Sequence, residues 1–365
     1  MAGYFFTKMF YSKKGTYTVE SVTSGHPDKV CDQISDAILD ECLRQDSFSR
    51  VAVETFGSHG HLVIGGEVTT KAKVDYKKIA EEVYKNIGYE NPLKIQVVIS
   101  EQSPDIAMGV DTGGAGDQGI MYGFASDETE EKMPIAVVLS HALSKGLEDL
   151  RKSKKVKWLR PDGKTQVTFK NGKLQSVLVS CQHDKNVNQD EIKKTVTEKL
   201  IKPIVKKITG KPIAKNVEIL VNPTGAFVLG GFDADTGLTG RKIMVDTYGG
   251  LIQHGGGAFS GKDLTKVDRS AAYMARFVAK NLVANKYAKQ CLVSVAYAIG
   301  RAEPLMISAV DEKGNDLSHV VLKNFDFKPK NIIDFLELRK PVFSGTASYG
   351  HFGKKGLAWE KIIKF

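Results

Sequence analysis

Ser24-Gly25-His26-Pro27-Asp28-Lys29-Val30-Cys31-Asp32-Gln33-Ile34-Ser35-Asp36-Ala37-Ile38-Leu39-Asp40 is the stretch from which the rest of the chain can be read. Proline is preorganised for the first position of a helix, and an aspartate beside it faces the positive helix N-terminus. Val30, Ile34, Ala37 and Ile38 recur on one face, while Asp28, Asp32, Asp36 and Asp40 recur at four-residue spacing on another. The spacing predicts an amphipathic helix over about 28–43. Beyond it the period changes: 51–56 and 62–69 read as strands, 76–87 as a helix and 95–99 as another strand, joined by Gly, Asp and Pro turns.

That rhythm recurs twice. A helix at 135–152, strands at 167–170 and 176–181, and a long basic helix at 189–208 with Val196, Leu200, Ile204 and Ile208 as its apolar stripe lead into 217–221 and a turn-rich stretch to 240. A strand at 242–246, a helix at 270–283, strands at 291–298 and 305–310 and a helix near 331–338 complete the chain. The expectation is an α/β (α+β) protein of three similar units, 16–112, 113–230 and 231–365, with the Gly-rich segment 109–119 at the first boundary and the segments interleaved in space.

The chain has 365 residues, 42% of them hydrophobic, enough for a large core divided among two or three domains. Its longest apolar run, around 135–139, is far short of the ~20 residues of a bilayer span, and the first fifteen residues lack a signal-peptide pattern. Cys31, Cys42, Cys181 and Cys291 lie far apart without C-x-x-C spacing, which suits free buried thiols in a reducing cytoplasm better than a zinc cluster or disulfide framework. A formal charge of +10 attracts anions, whether nucleic acid, acidic lipid or polyphosphate. The lysines concentrate at 151–157 and 193–215, where a solvated helix face is the simplest reading; without stacking aromatics among them, neither nucleic acid nor membrane is the expected partner.

Three clusters carry chemistry. His26 and Lys29 flank Asp28 within one turn, which makes Asp28 a candidate anion or metal residue. Asp36 and Asp40 read as a solvated acidic face, and removing Asp36 should do little harm. Gly256-Gly257-Ala258-Phe259-Ser260-Gly261-Lys262 satisfies G-x-x-x-x-G-K, but Asp263 stands where a phosphate loop needs Ser or Thr for Mg²⁺. A P-loop ATPase or kinase is therefore the weaker reading, although glycine N–H groups beside a lysine still suit a polyphosphate. Gly114-Ala115-Gly116-Asp117-Gln118-Gly119 spells a dinucleotide fingerprint without the strand before it or the helix after it, and fits a mobile active-site segment better. Asp268 follows Lys262 and Lys266 as a possible second metal carboxylate, and Arg241-Lys242 follows Asp235 and a glycine turn.

Together, Gly25-His26-Pro27-Asp28-Lys29, Gly114-Ala115-Gly116-Asp117-Gln118-Gly119 and Gly256-Gly257-Ala258-Phe259-Ser260-Gly261-Lys262-Asp263, with Val245-Asp246-Thr247-Tyr248-Gly249-Gly250, Ala302-Glu303-Pro304 and Tyr349-Gly350-His351-Phe352-Gly353, resemble the S-adenosylmethionine synthetase (methionine adenosyltransferase) family. The resemblance runs from about Thr18 to Lys361. It implies three α/β domains with approximate internal threefold symmetry, and a homodimer with shared active sites, expected to pair into a homotetramer. It implies adenosyl transfer from ATP to L-methionine, followed by hydrolysis of the released tripolyphosphate, with two Mg²⁺ per site and K⁺ as cofactors.

Residue by residue, the resemblance places His26 near the leaving ribose oxygen, Asp28 and Asp268 on magnesium, and Glu54 on potassium. Glu67, Gln102, Asp235 and Lys266 match the methionine end. Asp162, Lys164, Ala226, Phe227, Asp235, Arg241, Lys242, Ala258 and Lys262 match positions around ATP, with Phe227 on adenine. Asp117 has the sign needed to balance a sulfonium cation. Two departures stand out: Ala226 occupies a position where relatives commonly carry arginine, and only Thr112 and Gly113 separate Asp111 from Gly114, where many bacterial relatives have a longer acidic insert.

Overall fold

A computed structural model describes residues 15–101 and 113–365. The opening helix α1 (Pro27–Gln45) starts one residue before the expectation, with His26 as N-cap and Pro27 in its first turn. Val30, Cys31, Ile34, Ile38 and Leu39 are fully buried, so its apolar stripe is core. At about 1.5–3 kcal/mol for each large aliphatic side chain, this burial outweighs anything helix propensity contributes.

Before α1 lies β1 (Thr16–Val22), and after it come β2 (Arg50–Ser58), β3 (His61–Thr69), α2 (Tyr76–Ile87) and β4 (Lys94–Ser100). β2 and β3 form an antiparallel hairpin, and α2 carries the chain back so that β4 pairs parallel to β3. The next unit repeats this connectivity with β5 (Gly119–Ser126), α3 (Ile135–Lys152), β6 (Leu159–Lys170), β7 (Lys173–His183), α4 (Gln189–Val196), α5 (Lys202–Thr209) and β8 (Glu218–Val221), β8 again being parallel to its neighbour. The last has β9 (Gly237–Leu238), α6 (Ile243–Asp246), α7 (Val267–Ala284), β10 (Gln290–Tyr297), β11 (Met306–Asp311), α8 (Ser318–Asn324) and α9 (Pro329–Phe335).

The first strand of each unit serves another unit's sheet. The sheet orders are β1-β6-β7-β8, β11-β10-β5 and β4-β3-β2-β9. β1 joins the second unit, β5 the third and β9 the first, a cyclic exchange that ties the chain together and lets one hydrophobic core run through the molecule. α1, α3 and α7 pack on the β2, β6 and β5–β10 sheets respectively.

Three expectations change. The run 242–246 is not a strand but one helical turn, α6, closed by Asp246 N–H to the Lys242 carbonyl at 2.9 Å; short apolar runs read alike as strand or buried helix. The basic helix 189–208 is interrupted by a π-helical turn at Thr197–Ile201. The inserted residue moves the buried stripe from Val196 and Leu200 to Ile201 and Val205, leaving Ile204 and Ile208 half-buried. β1, β5, β9 and α8 were not anticipated: β1 and β5 pair in other units' sheets, outside the rhythm read along the chain, β9 has two residues, and α8 is under two turns long.

Candidate active site

The N-terminus of α1 sets the site. His26 Nδ1 accepts the Asp28 N–H at 3.2 Å, so the neutral ring carries its proton on Nε2 as a donor. Burial, reinforced by the cations of Lys242, Lys164, Lys29 and Arg241, pushes the His26 pKa down to about 2. His26 is therefore a neutral hydrogen-bond donor in a cationic field. Asp28, itself buried, takes the Leu238 N–H on Oδ1 at 3.0 Å and the Lys242 ammonium on Oδ2 at 2.5 Å, with Arg241 Nε 3.7 Å away. The exchange of β9 makes this possible, because pairing Leu238 with Phe56 brings the 238–242 turn over the end of α1. Lys164 projects into solvent from β6, paired opposite Val22 at the end of β1.

The other aspartates of α1 overturn the solvated-face expectation. Asp36 is completely buried and holds Arg269 in a two-pronged pair, 2.7 and 2.9 Å, while also accepting the Gly261 N–H at 2.9 Å. Asp40, 5% exposed, accepts the N–H groups of Phe343 and Ser344 at 2.9 and 2.8 Å, and the Ser344 hydroxyl. Asp32 and Asp246 share the buried Lys29 ammonium at 2.8 and 2.5 Å. Burial disfavours the Lys29 charge, but Asp246 and Asp32 outweigh it and raise its pKa. Lys29 is thus a structural cation, not a flank of the Asp28 site. The cause is the C-terminal segment 343–351, which runs back along α1 and closes its polar face from water: Phe343 and Ser344 meet Asp40, Thr346 meets Arg269, and Tyr349 meets Ser24.

The glycine-rich segment forms the second wall. Gly261 and Asp263 add to the edge of β2 through Val53 N–H to the Gly261 carbonyl at 3.0 Å and Asp263 N–H to the Val51 carbonyl at 2.9 Å. Asp263 also accepts the Val51 N–H and the Lys266 ammonium, so it anchors backbone and cannot replace a P-loop hydroxyl. Lys262 reaches Asp268 at 2.6 Å. Gly257 lies so close to that carboxylate that a Cβ there would sit 2.1 Å from Asp268 Oδ1. Ala258 packs against Gly240, next to Arg241, which joins this wall to the α1 site. Asp117 is exposed two residues before Gly119, whose Cα faces Asp268.

Asp162, on β6 near Lys164, is 5% exposed; its Oδ2 accepts the Gly231 N–H at 2.9 Å and its Oδ1 has no hydrogen-bond partner among the described residues. Burial raises its pKa to about 6. Phe227 is half-buried; its carbonyl accepts the His183 N–H at 2.9 Å and its own N–H donates to the His183 ring Nε2 at 3.0 Å, while Ala226 and Asp235 are exposed. Glu67 and Glu54 lie on β3 and β2, with Ala52 bridging Glu67 on one side to Lys262 on the other. Gln102 lies outside the described residues.

Among the described residues no three His, Cys, Asp or Glu side chains gather around a point where a metal could sit. Mg²⁺ does not require that, since it is commonly held by one or two carboxylates with substrate phosphates and water. Asp28 and Asp268 fit this donor set, because each already holds a cationic Nζ beside the basic residues expected at the phosphates. Glu54 is exposed, and among the described residues no cluster of carboxylates joins it to make a cage for K⁺. The four cysteines are free and buried, and among the described residues no helix is long and apolar enough to cross a membrane.

Family models described as S-adenosylmethionine synthetase N-terminal, central and C-terminal domains match residues 14–107, 112–227 and 229–361. S-adenosylmethionine synthase of Mesoplasma florum is 49% identical over 370 residues, covering 95% of this chain and 97% of that protein. The same-named proteins of Treponema denticola and Sorangium cellulosum are 48% and 50% identical, covering 95% and 94% of this chain and 96% and 87% of their own lengths.

Proposed function

The chain belongs to the S-adenosylmethionine synthetase family and transfers the adenosyl group of ATP to the sulfur of methionine; from that premise we propose how its residues divide the work. Methionine sulfur is an uncharged nucleophile with no proton to lose, so the protein's task is to align sulfur, C5′ and the departing oxygen. The S–C5′ bond forms as the C5′–O5′ bond breaks, and the electron pair leaves with the triphosphate. His26 carries the reading: a buried neutral imidazole with Nε2–H free to donate, ringed by Lys164, Arg241 and Lys242, is suited to an oxygen gaining negative charge.

Lys164, Arg241, Lys242 and Lys262 bind the triphosphate and take up its growing charge. Asp28 and Asp268 would hold two Mg²⁺ ions, which supply further charge neutralisation at the phosphates. The unpaired Asp162 Oδ1 accepts a hydrogen bond from ATP, whose hydroxyl and amino groups can meet it, and Phe227 packs on adenine. Glu67, Asp117 and Asp235 balance the sulfonium, with Lys266 and Gln102 completing the methionine end. The tripolyphosphate is then hydrolysed to pyrophosphate and phosphate.

Two copies share each site in this reading, assembling into a homotetramer, and Glu54 contributes to K⁺ binding with oxygens of another chain. Support comes from the outward sheet faces, where Phe56, Val98, Ile120 and Met306 remain 40–56% exposed. The four buried thiols suit a cytoplasmic enzyme. The protein mixed with ATP, labelled methionine, Mg²⁺ and K⁺ should yield label retained by a cation exchanger together with phosphate and pyrophosphate; ADP as the nucleotide product would refute the assignment.

A further inference from the structure

The turn 23–26 that presents His26 is neither strand nor helix, so its backbone groups need partners from elsewhere. Its near side is tied to β6: Thr23 donates from N to the Gly163 carbonyl at 2.9 Å and from Oγ1 to the Pro161 carbonyl at 2.7 Å. Two tyrosines from distant parts of the chain satisfy the next residues. Tyr89 Oη donates to the Gly25 carbonyl at 2.6 Å. Tyr349 Oη accepts the Ser24 N–H at 3.1 Å and donates to Glu148 Oε2 at 2.8 Å, while Glu148 Oε1 takes the Ser24 hydroxyl at 3.0 Å.

Tyr89 touches the opposite wall as well. Its ring stacks on Tyr84 with centroids 4.9 Å apart. It also lies against Gly231, where a Cβ would come within 2.5 Å of the Tyr89 hydroxyl. Gly231 adopts φ +60° and gives its N–H to Asp162. One side chain therefore braces both the residue before His26 and the loop that orients Asp162.

We propose that Tyr89 and Tyr349 are positioning residues of the adenosyl transfer, a clamp that fixes the His26 imidazole against the departing ribose oxygen and, through Gly231, keeps Asp162 in register with it. Neither acts on substrate directly. The clamp rests on the role given to His26 above. A donor displaced by 1 Å can cost about a hundredfold in rate, so two hydroxyls far from the reacting atoms can govern turnover.

The test is a double-mutant cycle of Tyr89→Phe with His26→Ala, and of Tyr349→Phe with His26→Ala, each measured by kcat, KM and thermal unfolding. Tyr89→Phe keeps the stacked ring and the ring carbons that lie against Gly231, so Asp162 stays in place; it should lower kcat about tenfold, with both KM values within about twofold and the folded state retained. In the His26→Ala background the same change should lower kcat less than twofold, since the group it positions is gone. Equal losses in both backgrounds, or a loss tracking unfolding alone, would overturn the clamp while leaving His26 in its role. An undiminished kcat for His26→Ala by itself would instead remove the His26 assignment and, with it, the purpose of the clamp.

Discussion

In the first turn of α1, Asp28 meets cations that keep contact with solvent; further along, Asp32 and Asp36 meet cations sealed inside the protein, and Asp40 ties down the backbone of Phe343 and Ser344. Lys242 retains 19% of its side-chain exposure and Arg241 52%, whereas Arg269 and Lys29 have none. Four like residues at one spacing on one helix thus have two kinds of work. A carboxylate whose cations can move away is available to a ligand, while one locked to a buried cation holds segments together. Residue type and helical face do not separate these cases. Burial of the partner does.

The largest effect should come from the structural half. Asp36→Ala leaves Arg269 buried and uncompensated and should remove about 3–5 kcal/mol of stability, seen as a lower urea midpoint. Replacing Arg269 by Leu in the same protein should recover part of that loss; no recovery would mean that the pair itself is not the source. Asp28→Asn should do the reverse, lowering kcat by about 10²–10³ while the unfolding midpoint barely moves. A near-normal rate would break the contrast and refute the metal assignment.

Asp40→Ala strands two backbone N–H groups and should cost about 1–3 kcal/mol without altering KM for either substrate. The Asp162 carboxyl, raised to about 6, accepts from ATP more strongly when ionised, with both oxygens then acceptors only. Acid protonates it and weakens binding, so KM for ATP should climb by up to about tenfold per unit as pH falls below 6, and Asp162→Asn should flatten that rise. His26, held neutral down to about pH 2, should add no inflection of its own near neutrality. Smallest of all, Lys202→Ala, which breaks an exposed pair with Glu198, should change stability by under about 1 kcal/mol.

Much of the architecture was legible because it is periodic. α2 and α3 fall where the sequence places them, and β2, β3, β10 and β11 within a few residues, since alternation and i, i+4 spacing are local properties. Asp28, His26, Lys242, Lys262 and Asp268 could be singled out because they sit in dense motifs. Lys29, Tyr89, Glu148 and Tyr349 could not be given their tasks. The one nearby signal was the i, i+3 spacing of Lys29 and Asp32, which is as common on a solvated face. The failed strand at 242–246 and the π turn at Thr197–Ile201 have the same origin: each is decided by what the segment must pack against.

The amino-acid order by itself determined the strongly periodic helices and strands and the family, because those depend on spacing along the chain and on side-chain type. Only the tertiary structure decided which carboxylates have partners open to solvent and which are locked to buried ones. Asp36 finds Arg269 233 positions away, and Asp40 finds Phe343 303 positions away, once the C-terminal segment has folded back along α1. Whether a charge is solvated, shared or locked depends on those distant neighbours and on the water they exclude, and no local pattern contains either.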